Sequence, residues 1–294
     1  MATFYFAARN AATPQFHFFT FSHQLFDVTL SPMATQGKTI NGGAAEEHDA
    51  FPAALRGGEG PTTILAYGAL LSEPSARLTF PHLRDFRLVR VRGYRRVFGH
   101  PHLFLIGQNI VDLADTSLRL ASLSAEKVVN FGYTSEEEAA GFVVAAFDVE
   151  LDDAQRRDFV ERERAYDLAK VPYYDIDSDC IALPKGRGAI CLAGSNDAEL
   201  PQILHPVVSR IREQLGQGVW QWKYDSGLLP ADVYLRHCLL AVEKAGPIAM
   251  HSLVHETYLA DRNTTVAEYL NKDNNRERVM AARPPDHLLQ RFNG

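Results

Sequence analysis

The sequence predicts an α+β protein built on a curved or barrel-like mixed sheet. Three observations predict it. Phe86–Phe98 (FRLVRVRGYRRVF) alternates, with Leu88, Arg90 and Arg92 interleaved with Val89 and Val91, which is the period of a half-buried strand. Phe142–Val149 (FVVAAFDV) is almost wholly apolar and reads as a central strand. The order of elements is strands, one helix, strands, then helices, rather than a regular alternation of βα units.

The elements follow in chain order. Ile64–Leu70 (ILAYGAL) is a short apolar strand with a glycine near its end. Gly93 interrupts Phe86–Phe98 and predicts a bulge or bend inside one strand. Leu118–Leu123, Val128–Tyr133, Val171–Ile176, Cys180–Leu183 and Ala189–Ala193 are further short strands. Asp152 or Asp153 caps a helix that runs to about Asp167. Past residue 200 the pattern is helical. Pro230 sits at a first helical position, Ala231–Ala245 follows, and Gly246 stops it. His251–Leu259 and Val266–Leu270 are two more helices.

Composition limits the function classes. The chain has 294 residues, 46% hydrophobic and 22% charged, which is the profile of a globular protein with a real core. Its net charge of -6 speaks against a nucleic-acid-coating role, since such domains are usually basic. No apolar run reaches the roughly 18 residues that span a bilayer. The three cysteines (Cys180, Cys191, Cys238) fit neither a disulfide framework nor a CxxC pair, and read as reduced thiols. Residues 1–60 read as a tail and linker: aromatic-rich to residue 32, then glycine- and alanine-rich, with the folded part beginning at Pro61. Met33-Ala34-Thr35 resembles a second start. The expected location is the cytoplasm, or an organelle if residues 1–32 act as a transit peptide.

The stretch Phe159–Leu168 (FVERERAYDL) raises a chemical question. At about 100° per residue, Glu163 falls about 40° from Phe159 and about 60° from Val160 and Tyr166. Glu161 falls about 160° away, on the wet face with Asp158, Arg157 and Arg164. A carboxylate on the core side costs several kcal/mol unless it is paired or protonated. On geometry alone two readings stand. Glu163 is either half of a structural ion pair with Arg90, Arg92, Arg95 or Arg96, or a general acid/base. At the end of the first strand, Tyr67-Gly68-Ala69-Leu70 leaves backbone N–H groups unobstructed, a nest able to hold a carboxylate or an oxyanion.

His251 and His255 share a helical face with Glu256 beside them, yet no further ligand cluster joins them, so an ordinary polar helix is expected rather than zinc. His100 and His102 form a loop pair near the site. Trp220 and Trp222 dock the C-terminal helices.

Together these blocks resemble the γ-glutamylcyclotransferase-like superfamily, including its ChaC and AIG2-like relatives. ILAYGALL resembles the family's Tyr-Gly-Ser loop, VRGYRRVFG its Gly-Tyr-x-Arg block, and GFVVAAFDV followed by RERAY its glycine-led strand and catalytic helix. LRLASL sits where the family has a short Ala-Thr-Leu-type strand. Ala69 stands where the family has serine, and FGHPHLFLIG does not reproduce the arginine-containing stretch of the glutathione-specific branch. The resemblance covers roughly residues 62–195.

The resemblance implies a γ-glutamylcyclotransferase-like domain over residues 61–199, followed by a mainly helical extension over 200–294. It implies a lyase that needs no cofactor and acts on a small γ-glutamyl amide, releasing 5-oxoproline. Glu163 would be its general acid/base, with Tyr67, Gly68, Ala69, Leu70 and Tyr166 at the substrate. Two alternatives stay open: a lyase for a γ-glutamyl-tagged metabolite other than glutathione, and a catalytically idle binding or regulatory module of the same fold.

Overall fold

The computed structural model describes residues 52, 54–55, 60–128, 141–178 and 182–294. Almost all of the tail and linker, the stretch 129–133 and Cys180 therefore lie outside the described residues.

The chain enters through β1 (Thr62–Ala66) and α1 (Glu73–Thr79), which Ser72 caps by accepting the Ser75 N–H. Then come β2 (Arg84–Arg92), β3 (Tyr94–Pro101), α2 (Leu103–Gly107), β4 (Arg119–Lys127) and β5 (Gly141–Val149). Helix α3 (Asp153–Arg162) leads to β6 (Asp167–Tyr173) and β7 (Gly186–Leu192). Beyond residue 200 lie α4 (His205–Leu215), β8 (Leu229–Pro230), α5 (Asp232–Ala245), α6 (Pro247–His255), β9 (Thr257–Tyr258), α7 (Val266–Leu270) and α8 (Asn275–Ala281).

The strands form one mixed sheet in the order β2-β5-β1-β7-β4-β3-β9. Strand β6 pairs along the whole of β7, and just beyond β6 Tyr174 exchanges two 2.9 Å backbone hydrogen bonds with Arg90 of β2. That bridge closes a ring of β2, β5, β1, β7 and β6, so the sheet curls on itself. The α+β class and the curved mixed sheet expected from the sequence are both present.

Gly93 is not a bulge inside one strand. It sits at φ +74°, between β2 and β3, which occupy opposite ends of the sheet order. A residue with a Cβ is strained at that φ, so glycine makes the corner there. Pro230 likewise lies in β8 and not in the first turn of α5. It has no N–H to give, which an edge-strand position tolerates. The helix expected over His251–Leu259 gives way to β9, because Thr257 and Tyr258 pair with Arg96 and Val97.

Strand β1 shows how the sheet serves two cores. Ile64 and Ala66 join Phe80, Phe147 and Phe159 under α1 and α3, while Leu65 and Tyr67 face the larger core shared with α4–α7. The segment beyond residue 200 is largely helical, and it also sends β8 and β9 into the sheet. Among the described residues, no helix is long and apolar enough to cross a membrane.

Candidate active site

The site is built where β1 ends. Tyr67, 7% exposed, donates its hydroxyl to the Cys191 carbonyl of β7 at 2.6 Å. Burial pushes its pKa well up, and the thiol of Cys191 adds to the effect. From behind, the fully buried Arg96 of β3 donates to the Tyr67 carbonyl at 3.1 Å, and also to Thr257 Oγ1 at 2.6 Å and Val143 O at 3.4 Å. Burial lowers this guanidinium to about 10. With a further bond to Ser252 Oγ at 3.4 Å, Arg96 spends its donors on four neutral acceptors and holds the turn after β1 in place.

Within that turn, Leu71 N–H donates to Gly68 O at 3.0 Å. Among the described residues, no hydrogen bond takes up the N–H of Gly68, Ala69 or Leu70. These three N–H groups are the ones that the sequence reading assigned to a nest. The turn tolerates only glycine at its first position for a steric reason. A Cβ on Gly68 would lie 2.7 Å from the hydroxyl oxygen of Tyr234, which arrives from α5.

Glu163 approaches by a route the sequence did not predict. Asp152 starts α3 with a reciprocal capping box to Gln155, but the helix stops at Arg162 instead of running to Asp167. Glu163 is its C-cap, and its N–H still reaches Phe159 O at 3.0 Å. Residues 167–173 pair with β7, and that tertiary pairing overrides helical continuation. The partition of the two acids survives for a different reason. Glu161 is 52% exposed and bonded to Arg164, while Glu163 is 17% exposed.

The partner of Glu163 is also different. Arg162 Nε lies 3.0 Å from its carboxylate, and the other end of the same guanidinium bonds Thr79 at the end of α1. None of the four strand arginines pairs with it. Arg90 pairs with Glu256, Arg95 with Glu126, Arg92 bonds Ser178, and Arg96 is engaged as described. The Glu163 carboxylate acts electrostatically on the thiol of Cys191. Burial first, then that negative charge, pushes the thiol well up, and Arg162 opposes the shift.

Tyr166 is a wall of the site. Its hydroxyl donates to Leu123 O at 3.1 Å and lies 3.1 Å from His100 Nε2. The Tyr166 proton being committed to Leu123, the network assigns the His100 proton to Nε2. His100 Nδ1 has no partner among the described residues, and burial lowers this imidazole to about 3, which keeps it neutral. His100 and His102 are not a loop pair: His100 belongs to β3, and His102 caps α2. Trp220 packs on His100 with ring centres 4.4 Å apart and planes tilted by 34°, and meets Tyr166 edge-on at 5.8 Å, so it packs on the wall rather than only on the helices. Trp220 also lines a cavity of about 320 Å³ with Ser124, Glu126, Trp222 and Arg262; neither Glu163 nor residues 67–70 line it. His251 and His255 stack at 4.6 Å, while Glu256 is taken by Arg90.

The structure thus brings Glu163, Tyr67 and Tyr166 within electrostatic reach of one another, with the Gly68–Leu70 turn following Tyr67. Sequence reasoning missed Arg162, Cys191 and Tyr234 as members of the site. Cys191 and Tyr234 come from distant segments with ordinary strand and helix patterns, and the adjacency of Arg162 to Glu163 was the one usable signal.

The chain is similar to solved γ-glutamyl cyclotransferases. One is described as a gamma-glutamyl cyclotransferase: identity is 10%, TM-score 0.32, with 55% of this chain and 89% of that one covered. An uncharacterized protein from Homo sapiens matches at 11% identity and TM-score 0.33, covering 55% of this chain and 90% of its own. The third is a γ-glutamyl cyclotransferase specific to glutathione from yeast, at 12% identity and TM-score 0.35, covering 71% and 99%. At these values the likeness assigns neither a reaction nor a substrate to this chain. No family profile matches, and no curated protein matches.

Proposed function

We propose that the protein cyclises a γ-glutamyl amide to 5-oxoproline and a free amine, with Glu163 as general acid/base. The observation that carries this reading is a part-buried carboxylate within electrostatic reach of Tyr67, the residue that leads into a strand-end turn whose Gly68, Ala69 and Leu70 N–H groups have no hydrogen-bond partner among the described residues. Glu163 takes a proton from the substrate α-amino group. The nitrogen attacks the γ-carbonyl carbon of the same molecule, closing a five-membered ring. The oxygen of that carbonyl becomes an oxyanion, which the N–H groups of Gly68, Ala69 and Leu70 stabilise. The C–N bond to the leaving amine then breaks, and Glu163 returns its proton to that nitrogen. Because the attack is intramolecular, the turn and the walls at Tyr67 and Tyr166 mainly fold the substrate into reach.

A second reading, an idle binding module, draws support from the Arg162 ion pair, which satisfies Glu163 without any substrate. Incubation with glutathione and a panel of γ-glutamyl amino acids and amines separates the two. Release of 5-oxoproline from any member supports the enzyme; silence across the panel rejects it.

A further inference from the structure

We infer that Arg291 is the residue that holds the substrate α-carboxylate, supplied to the site by the segment 288–294. This rests on the reading of the site given above.

The segment is pinned in place. Phe292, 4% exposed, stacks on Phe104 at 6.2 Å and meets His237 edge-on at 5.4 Å. Gly294 N–H donates to His237 Nδ1 at 2.9 Å, and Lys244 donates to Asn293 O at 2.7 Å. Between these anchors the Arg291 guanidinium lies 4.0 Å from the centre of the Phe104 ring. Phe104 is next to His102, which packs edge-on against Tyr234 at 4.6 Å, and Tyr234 touches Gly68. A chain of ring contacts thus runs from Arg291 to the turn that carries the free N–H groups.

Arg291 has no carboxylate of its own. Among the described residues it makes neither a hydrogen bond nor an ion pair; its contacts are the two phenylalanine rings. Burial lowers it to about 10, and Arg162 and Glu163 are the charges that act on it. The site therefore holds two guanidinium cations and one carboxylate. Like charges repel, so the empty site carries an excess positive charge with no partner among the described residues. A γ-glutamyl substrate brings the missing anion. Its α-carboxylate on Arg291 balances the charge, while the amine on the same carbon faces Glu163. The excess positive charge also favours the neutral, nucleophilic form of that amine. Arg291 remains open to solvent on one side, which gives the ligand access. The specificity that follows is for the α-carboxylate and not for the leaving group.

Calorimetric binding of 5-oxoproline and of 2-pyrrolidinone, the same ring without its carboxylate, tests this on the full chain. Wild type is expected to prefer 5-oxoproline by about tenfold or more, the factor carried by about 1.4 kcal/mol. Arg291→Gln should lose most of that preference and Arg291→Lys keep part of it. Arg291→Met, which keeps its stem on Phe104, gives the same readout if the glutamine variant does not fold. An undiminished preference in the charge-removing variant, or no preference in wild type, overturns the role of Arg291 and leaves the site reading standing. Failure of folded wild type to bind either ring removes the site reading, and Arg291's role with it.

Discussion

Arg162 and Glu163 are neighbours in sequence and partners in space, 3.0 Å apart, because the helix that carries them ends between them. The pair holds the carboxylate on the site side, while Glu161, two residues earlier, is exposed and pairs with Arg164, whose own side chain is only 9% exposed and so does not lie on the wet face expected for it. Glu163→Gln should therefore reduce 5-oxoproline release by at least about 10²-fold, a typical general acid/base contribution, with an intact fold. Glu161→Gln should leave turnover within twofold, since exposed pairs contribute about 0–1 kcal/mol. Comparable losses from both variants would sink the assignment.

The close approach of Tyr234 to Gly68 makes a second-site rescue testable. Gly68→Ala puts a Cβ 2.7 Å from the Tyr234 oxygen. The crowding should cost about 1–3 kcal/mol of stability and displace the turn, lowering kcat/KM. Adding Tyr234→Phe removes the clashing oxygen and should recover most of both. A double variant no better than the single one would show that the turn needs glycine for some other reason.

Arg96 is fully buried and serves only neutral acceptors. Arg96→Met keeps most of the volume but strands the Tyr67 and Val143 carbonyls. Each stranded group costs about 1–3 kcal/mol, so urea unfolding should report a loss of about 3 kcal/mol. A loss under about 1 kcal/mol would mean that water replaces the guanidinium.

Two buried histidines set a pH window. Burial lowers His100 to about 3 and His237 to about 4, and each is 2% exposed. Unfolded imidazole titrates near 6.5, so the stability these groups contribute is present above that value and is lost as pH falls from 6.5 toward the folded values. At pH 5 each costs about 2 kcal/mol, so the urea midpoint should drop clearly between pH 7.5 and 5. His237→Gln offers Gly294 N–H an acceptor that does not titrate, and should flatten that drop by about a third, since burial also lowers His102 to about 3 and adds it to the same window. An unchanged slope would remove His237 from the account.

Some features were legible because their causes are local. The alternation of Leu88–Arg92, the apolar run of Phe142–Val149 and the Val266–Leu270 helix follow from side-chain periodicity, which neighbours do not alter. The Tyr67–Leu70 turn was legible because a glycine after an apolar strand leaves the backbone bare. Glu163 is the less exposed of the two acids, as the sequence implies, although α3 ends before it.

What the sequence by itself determined was the α+β class and the curved mixed sheet. Only the tertiary structure decided where α3 stops, that Gly93 turns a corner between separate strands, that Arg162 and Cys191 lie by Glu163, and that Tyr234 lies against Gly68. The physical reason is range. Strand pairing of β6 with β7 and the burial of Tyr166 against His100 depend on segments dozens of residues away, and no local propensity carries that information.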